Sequence, residues 1–393
     1  MMKIGEFSDS FLPIIDGVGR VVKAYADTLS LRNQEVYVIC PTDNMGFRGK
    51  YPFEIVDYNS LRLSKGNPWK VGIDKLDTHF TARMKLIDLD ICHTHSPAFA
   101  GFSAVYYAKK KNVPLVGTFH SKYYDDILIA TKSKMLARIG SEMVADFYSQ
   151  CDEVWTVSEN SAETLQSYGY KGKLIIVPNG TNVRELHTEM LDQVSSGFGI
   201  RRDVPVLLYV GQINWKKNLR RIIEGAARLK KQGHDFQLVF AGKGPDEEEV
   251  KELACKEGIS DRLVMTGHLQ DSKVLDCLYY LATLFVFPSL YDTFSLVVRE
   301  AALMETPSVV VEGSAAGESI KNGENGLLCK DTTEDFADKV AFFLSLPEEK
   351  REQINKKAKE TLPIRWDGPI MDTVIERYEN LVNIYKFKNR KFN

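Results

Sequence analysis

The sequence has 393 residues, 44% apolar and 26% charged; that is too long for one small core, and two α/β domains are the expected division. Lys plus Arg (51) nearly balance Asp plus Glu (53), so the net charge of −2 gives no reason to expect nucleic acid as a partner. Six scattered cysteines (Cys40, Cys92, Cys151, Cys255, Cys277 and Cys329) form no C-x-x-C pair, which argues against a zinc ribbon or thioredoxin-type motif and fits reduced thiols in a cytoplasmic protein.

The chain opens with a strand at 3–7 that carries Glu6, followed by polar Ser8-Asp9-Ser10, a start unlike a signal peptide. Further strands read at 35–40, 90–93, 114–118, 153–157 and 174–177, with helical stretches at 19–32, 97–111, 125–150 and 158–168. The stretch 184–203 is less apolar and reads as an interdomain linker. A second series then begins, with strands at 205–210, 236–241, 262–265, 284–287 and 307–311. Its helices lie near 218–231, 245–258, 271–281 and 294–304, and a helical tail runs over 371–386. No apolar run approaches the roughly 18–20 residues that span a bilayer. The fold class is therefore α/β: two Rossmann-like, doubly wound parallel-sheet domains facing across a cleft. The expected domains are 1–190 and 200–365, with the terminal helix 366–393 packing back on the first.

In such sheets ligands bind at the carboxyl ends of the strands, and the unusual loops fall there. The segment Pro288-Ser289-Leu290-Tyr291-Asp292 leads into a helix, with Glu300 about two turns below Asp292. Free N–H groups at Phe294, Ser295 and Leu296 would form an anion site; in the bland alternative Asp292 is an N-cap and Glu300 a surface acid. Gly211-Gln212-Ile213-Asn214-Trp215-Lys216-Lys217 supplies a glycine turn and a lysine suited to a diphosphate, unless both lysines are simply solvated. Gly242-Lys243-Gly244-Pro245 and Thr266-Gly267-His268-Leu269 end the next two strands. In the first half, Gly17 and Gly19 precede a helix and would let backbone N–H groups approach a phosphate. His120 ends a strand; His93 and His95 share a strand face but lack a clear third metal ligand. His95, Tyr123 and Tyr124 are candidates for the acceptor side, whereas Asp125 and Asp126 equally suit a helix start.

These motifs, in order and spacing, resemble those of the retaining nucleotide-sugar glycosyltransferases of family 4 (glycosyl transferases group 1), which share the two-domain GT-B fold. The segment 288–300 is similar to their E-x7-E element, 211–218 to their G-R-x-x-x-x-K-G/N loop and 239–245 to their A-G-x-G-P loop. Val177-Pro178-Asn179-Gly180-Thr181-Asn182 is similar to their P-N-G-V-D signature. The resemblance implies that Glu300 holds the donor ribose, Lys217 neutralises the diphosphate and Asp292 lies near the transferred sugar. It implies that backbone at Gly267, His268 and Leu269 meets the base, that the Gly17–Gly19 loop contacts the phosphates, and that His120 touches the sugar. The chain departs from the pattern at Asp292 in place of Glu, Gln212 in place of Arg and Asn182 in place of Asp.

By this resemblance the expected activity is hexosyl transfer, with retention, from a nucleotide-diphosphate sugar (a UDP-sugar foremost) to a hydroxyl of a glycan or lipid. Front-face attack assisted by the leaving group needs no metal, and the nucleotide-sugar is a substrate, so no cofactor is expected. A sugar phosphorylase or nucleotide-sugar epimerase on the same fold, or a non-catalytic sugar-nucleotide-binding partner subunit, are the alternatives. Basic and aromatic residues recur in the first half (Arg62, Lys65, Trp69, Lys70, Arg83, Lys85, Lys109, Lys110, Lys111, Lys132 and Lys134). They suggest peripheral contact with the inner face of a membrane, or else a solvated rim.

Overall fold

Short apolar runs bounded by turn residues form buried parallel strands here, and the amphipathic stretches between them cover both sheet faces. A computed structural model describes all residues except 13–15, 43–49, 63–69 and 393, together with the side chains of 62, 70, 71 and 389–392. The chain divides into two units, Met1–Asn179 with Arg365–Asn393, and Gly180–Ile364.

The first unit contains strands β1 (Lys3–Phe7), β2 (Glu35–Pro41), β3 (Glu54–Tyr58), β4 (Ser60–Arg62), β5 (Lys70–Gly72), β6 (Ile91–Thr94), β7 (Leu115–Phe119), β8 (Glu153–Thr156) and β9 (Leu174–Ile176). Its helices are α1 (Gly17–Leu31), α2 (Thr78–Leu86), α3 (Phe99–Lys111), α4 (Tyr123–Thr131), α5 (Lys134–Tyr148) and α6 (Glu159–Ser167). Seven strands form one sheet in the order β3-β2-β1-β6-β7-β8-β9, and β4 pairs with β5 as a separate antiparallel ribbon. The strand order reverses between β1 and β6, the switch point at which such sheets open a crevice.

The second unit runs through α7 (Leu191–Phe198), β10 (Val206–Val210), α8 (Leu219–Lys231), β11 (Gln237–Ala241), α9 (Glu247–Lys256), β12 (Leu263–Gly267), α10 (Ser272–Leu281) and β13 (Leu284–Phe287). It continues with α11 (Leu296–Leu303), β14 (Ser308–Val311), β15 (Leu327–Cys329), α12 (Thr333–Ser345) and α13 (Glu348–Thr361). Its six-stranded sheet, β12-β11-β10-β13-β14-β15, switches between β10 and β13. Every residue of β10, β11 and β13 is buried, as strands covered on both faces must be.

Three of the departures from the sequence expectation have a plain local cause. The helix expected over 125–150 is a hairpin: Lys132 takes a left-handed conformation and Ser133 caps α5 by accepting from Leu136 N. A Cβ at Gly140 would lie 2.5 Å from Ile127 Cδ1, so that glycine lets α4 and α5 close on each other. The expected linker contains α7, whose Val194 is buried and whose end is tied down by Gln237 Nε2 donating to Gly199 O at 2.9 Å. The division between units falls at Gly180 rather than near 190–200, because Thr181 N donates to Ile364 O at 2.6 Å within the second unit.

The terminal helix α14 (Met371–Phe392) belongs to the first unit. Arg377 binds Glu153 through two hydrogen bonds at 2.8 and 2.9 Å, and Tyr378 stacks on Trp155 with ring centroids 5.5 Å apart. Among the described residues, no helix is long and apolar enough to cross a membrane.

Candidate functional site

In the second unit, three neighbouring strand ends are stitched together by backbone. Gly211 N donates to Ala241 O at 3.0 Å, Gly242 N to Gly267 O at 2.9 Å and Ile213 N to Lys243 O at 3.1 Å. A Cβ on Gly242 would lie 1.8 Å from Gly211 O, and one on Gly244 would lie 2.0 Å from Ile213 O. These glycines are therefore demanded by close backbone contact, and Gly242 and Gly267 also hold positive φ (153° and 73°). Gln212 is exposed, and its carbonyl accepts from Tyr209 OH at 2.9 Å. His268 is exposed, whereas Leu269 packs against the core of this unit.

Beside these loops, across the switch point, Lys217 Nζ meets Asp292 Oδ1 at 2.7 Å, with the two side chains only 14% and 20% exposed. Lys217 is thus not a solvated surface charge. Ser289 donates to the other Asp292 oxygen, and the Tyr291 ring lies under both ammonium groups, 4.2 Å from Lys216 Nζ and 5.0 Å from Lys217 Nζ. Asn218 Nδ2 donates to Pro288 O at 3.0 Å and so ties the two loops together.

Asp292 is not the cap of the following helix. Helix α11 starts at Leu296, two residues later than expected, and its N-cap is Ser295 at φ 58°. Ser295 is buried, its hydroxyl makes no hydrogen bond, and the helix start has no side-chain cap. A buried, uncapped helix start leaves backbone donors to be satisfied from outside the helix. Arg299 holds this segment in place: its guanidinium lies 3.9 Å from the Phe294 ring centroid and donates to Phe294 O at 3.2 Å. Burial lowers Arg299 to about 10, with Glu318 opposing the shift.

Glu300 is 4% exposed, so it is not a surface acid. Its Oε1 meets Arg184 Nη2 at 3.2 Å, and its Oε2 accepts from Tyr279 OH at 3.3 Å. The other arm of Arg184 reaches Asp276 Oδ1 at 3.1 Å. Asp276 is buried, and its carboxyl is pushed up to about 6, by burial first, with Arg184 opposing and Glu300 adding repulsion.

The first unit builds a different cluster at its own switch point. Parallel pairing of β1 with β6 puts Glu6 beside His93, and His95 N donates to Phe7 O at 2.8 Å to extend the register. His95 Nε2 lies 2.7 Å from Glu6 Oε2, and His95 Nδ1 lies 3.0 Å from His120 Nε2, so carboxylate and two imidazoles form one chain. With the carboxylate as acceptor, a neutral His95 donates through Nε2 and accepts at Nδ1, which makes His120 Nε2 the donor. His93 is held by Tyr378 OH at Nδ1 and by Thr118 Oγ1 at Nε2, the latter at 2.6 Å. Glu6, His93 and His95 are close enough to share a metal ion, yet each ring nitrogen already has a hydrogen-bonding partner that an ion would displace. Burial lowers His93 to about 4, reinforced by His95 and opposed by Glu6; burial, with His95 and His93, also holds His120 well below its ordinary value. For Glu6 burial acts upward, but attraction and hydrogen bonds from His93 and His95 prevail and bring it to about 2.

Gly17 and Gly19 lie in the first turn of α1 rather than in a loop before it, because Asp16 is the N-cap and accepts from Gly19 N at 2.7 Å. A Cβ on Gly17 would meet nothing within 4 Å, so packing within the protein does not require that glycine. Tyr123 packs against the first core with its ring 5.8 Å from Phe119, and Tyr124 N donates to Tyr168 OH at 2.9 Å. Asp125 and Asp126 occupy the first turn of α4. Of the basic residues, Arg83 pairs with Glu54 and Lys111 with Asp88; Lys65, Trp69 and the side chains of Arg62 and Lys70 lie outside the described residues.

Residues 15–185 match Glycosyltransferase Family 4, and residues 193–361 match Glycosyl transferases group 1. The chain belongs to this glycosyltransferase family. It is 26% identical over 328 residues to an alpha-monoglucosyldiacylglycerol synthase of Streptococcus pneumoniae, covering 80% of this chain and 71% of that one. Among solved structures, a sucrose-phosphate synthase from Thermosynechococcus elongatus superposes with a TM-score of 0.79 at 17% identity, over 98% of this chain and 100% of the other. Anabaena HepE in complex with UDP-glucose gives 0.75 at 16% identity, over 96% and 100%. These superpositions show the GT-B fold.

Within this glycosyltransferase, several residues of the two clusters have no motif to announce them. Arg184 and Asp276 flank Glu300 from segments 116 and 24 residues away in the chain. Glu6 had one visible signal, an ionisable side chain inside an otherwise apolar strand, which is costly unless partnered.

Proposed function

We propose that this glycosyltransferase moves a hexose, with retention of configuration, from a uridine-diphosphate sugar to a hydroxyl of a lipid acceptor. The observation that carries the donor half is the grouping in the second unit of Lys217, Asp292 and the uncapped start of α11, with the buried Glu300 on the same helix. Lys217 and the helix N–H groups suit a diphosphate, and the Glu300 carboxylate suits the two hydroxyls of a ribose. Asp292, paired with Lys217, is assigned to exchange that partner for a hydroxyl of the transferred sugar. Backbone at Gly267, His268 and Leu269 takes the base. In the first unit, the helix start at Gly17 and Gly19 is assigned to phosphate, His120 to the sugar, and His95, Tyr123 and Tyr124 to the acceptor.

The reaction follows from these placements. The acceptor hydroxyl attacks the anomeric carbon from the face that the diphosphate is leaving; the new C–O bond forms as the old one breaks. The hydroxyl proton passes to the departing phosphate oxygen. Lys217, the backbone at α11 and the Ser295 hydroxyl stabilise the charge that develops there, a contribution of about 10²–10³ in rate for a single donor of this kind. This reading assigns neither metal nor cofactor a part. The lipid acceptor is supported by the diacylglycerol-lipid relative described above.

A donor-hydrolysis screen over purified nucleotide-sugars, followed by radiolabel transfer to diacylglycerol in detergent, tests the reading. Slow hydrolysis of one UDP-hexose and label in the lipid fraction are expected. Free nucleotide with an epimerised sugar and no acceptor product would point to an epimerase. No turnover of any donor would point to a binding partner instead.

A further inference from the structure

Helices α4 and α5 form a hairpin that is apolar on both sides. On α5 the inward face carries Ala137, Ser141, Val144, Ala145 and Tyr148, all buried. At about 100° per residue, Met135, Leu136, Ile139 and Met143 fall within an arc of about 100° on the opposite face. All four are exposed, Met135 and Met143 at 70% and 65%. Across the turn, Ile129 on α4 is exposed as well, and no residue of α4 is fully buried although it contains Ile127, Leu128 and Ile129 in sequence. Single exposed apolar residues are ordinary; five gathered on one hairpin are not.

The stripe continues onto α3. Phe102, itself 52% exposed, packs edge-on against Phe147 of α5 with centroids 5.5 Å apart. Phe99 and Tyr106, three positions before and four after it, share that exposed helix face. The Lys110 ammonium lies 5.4 Å from the Tyr106 ring centroid.

Charge decides what this surface meets. Lys132 and Lys134 sit at the tip of the hairpin among Ile129, Met135 and Leu136, while the acids of the hairpin lie toward its base: Asp125 and Asp126 at the start of α4, Glu142 and Asp146 late in α5. Of these, Glu142 is neutralised by Arg138 at 2.9 Å. An apolar tip ringed by lysines, with aromatic residues on the adjoining helix, matches the composition of a segment lying in the headgroup layer of an anionic bilayer.

We propose that the α4–α5 hairpin, flanked by the aromatic face of α3, is the surface by which this protein rests on an anionic lipid bilayer. The inference shares with the proposed function only the presence of lipid; its observations are the exposed stripe and the separation of charge along the hairpin.

The test is vesicle flotation of the full chain, with phosphatidylcholine alone and with about 30% phosphatidylglycerol, at about 0.1 M and 0.5 M salt. The wild type floats with the anionic vesicles, less at high salt. Met135→Asp with Leu136→Asp, and separately Lys132→Glu with Lys134→Glu, each lower the bound fraction about tenfold. Lys132→Arg with Lys134→Arg retains binding. All variants keep the wild-type unfolding midpoint and the wild-type rate of UDP-hexose hydrolysis. Flotation of the aspartate variant at wild-type level, or absence of wild-type flotation, overturns the proposal. So does a wild-type dimer in solution that the aspartate variant converts to monomer. Sugar transfer to detergent-dispersed lipid without flotation would remove this surface and leave the acceptor reading intact; flotation without transfer would do the reverse.

Discussion

Each unit buries a cluster of ionisable groups, and the two clusters are balanced in opposite ways. In the first, one carboxylate, Glu6, faces His93 and His95, with His120 attached through His95. In the second, one guanidinium, Arg184, is shared by two carboxylates, Asp276 and Glu300. The first cluster surrounds its carboxylate with imidazoles and hydroxyls from β6 and its end, from the end of β7 and from α14, so it ties β1, β6, β7 and α14 together. The second holds more acid than base. Burial first, with repulsion from Glu300 added, raises the Asp276 carboxyl in this cluster. One cluster is a scaffold for His120; the other, on the function proposed above, receives the donor ribose.

The largest expected effect breaks the scaffold. Glu6→Leu leaves the buried His95 Nε2 without its acceptor, removes the carboxylate beside His93 and Tyr378, and costs about 3–5 kcal/mol, read as a lower midpoint in denaturant unfolding. The same substitution in the second cluster behaves differently: Glu300→Gln keeps the fold, because Arg184 retains Asp276, but weakens nucleotide binding about 10–100-fold, the value of a charge-assisted hydrogen bond. Titration calorimetry with UDP measures it. Equal losses of stability in both variants would erase the distinction.

pH separates the clusters more finely. His93 is lowered to about 4, so between about 4 and its ordinary 6.5 the unfolded chain holds a proton that the folded chain does not. Stability from this group is present at neutral pH and lost on acidification through that window. Asp276 is raised from 3.8 to about 6, so here the folded chain holds the extra proton. Its contribution is greatest at low pH and is lost as pH rises through about 6. Asp276→Asn removes that second trend, and at pH 8 the variant should be more stable than the wild type by about 1–2 kcal/mol after allowance for solvent screening. Thermal unfolding from pH 5 to pH 8 distinguishes the outcomes; a variant curve parallel to the wild type would show that Asp276 does not titrate there.

Much of the sheet architecture was legible because β10, β11 and β13 are apolar runs closed by glycine or proline, a pattern local in sequence. The edge strand β3 was not, since Glu54 and Asp57, on opposite faces of a short edge strand, interrupt the apolar run. The α4–α5 break was hidden because Thr131-Lys132-Ser133 contains neither glycine nor proline, and only the left-handed Lys132 turns the chain. In the candidate site, Gly242 and Lys217 could be singled out because a loop at a strand end makes glycine and lysine meaningful where they stand. The partners of Glu300 could not, since Arg184 meets it only through tertiary packing. The polar chain from Glu6 to His120 spans three strands, and parallel register rather than any spacing puts its members side by side.

The central claim is that the grouping around Lys217 binds the donor diphosphate. UDP affinity measured calorimetrically for the wild type and for Lys217→Ala tests it most directly. The account predicts binding weakened about 10–100-fold in the variant, as expected for loss of a charged hydrogen-bond donor, with the unfolding midpoint little changed. An unaltered Kd would contradict it.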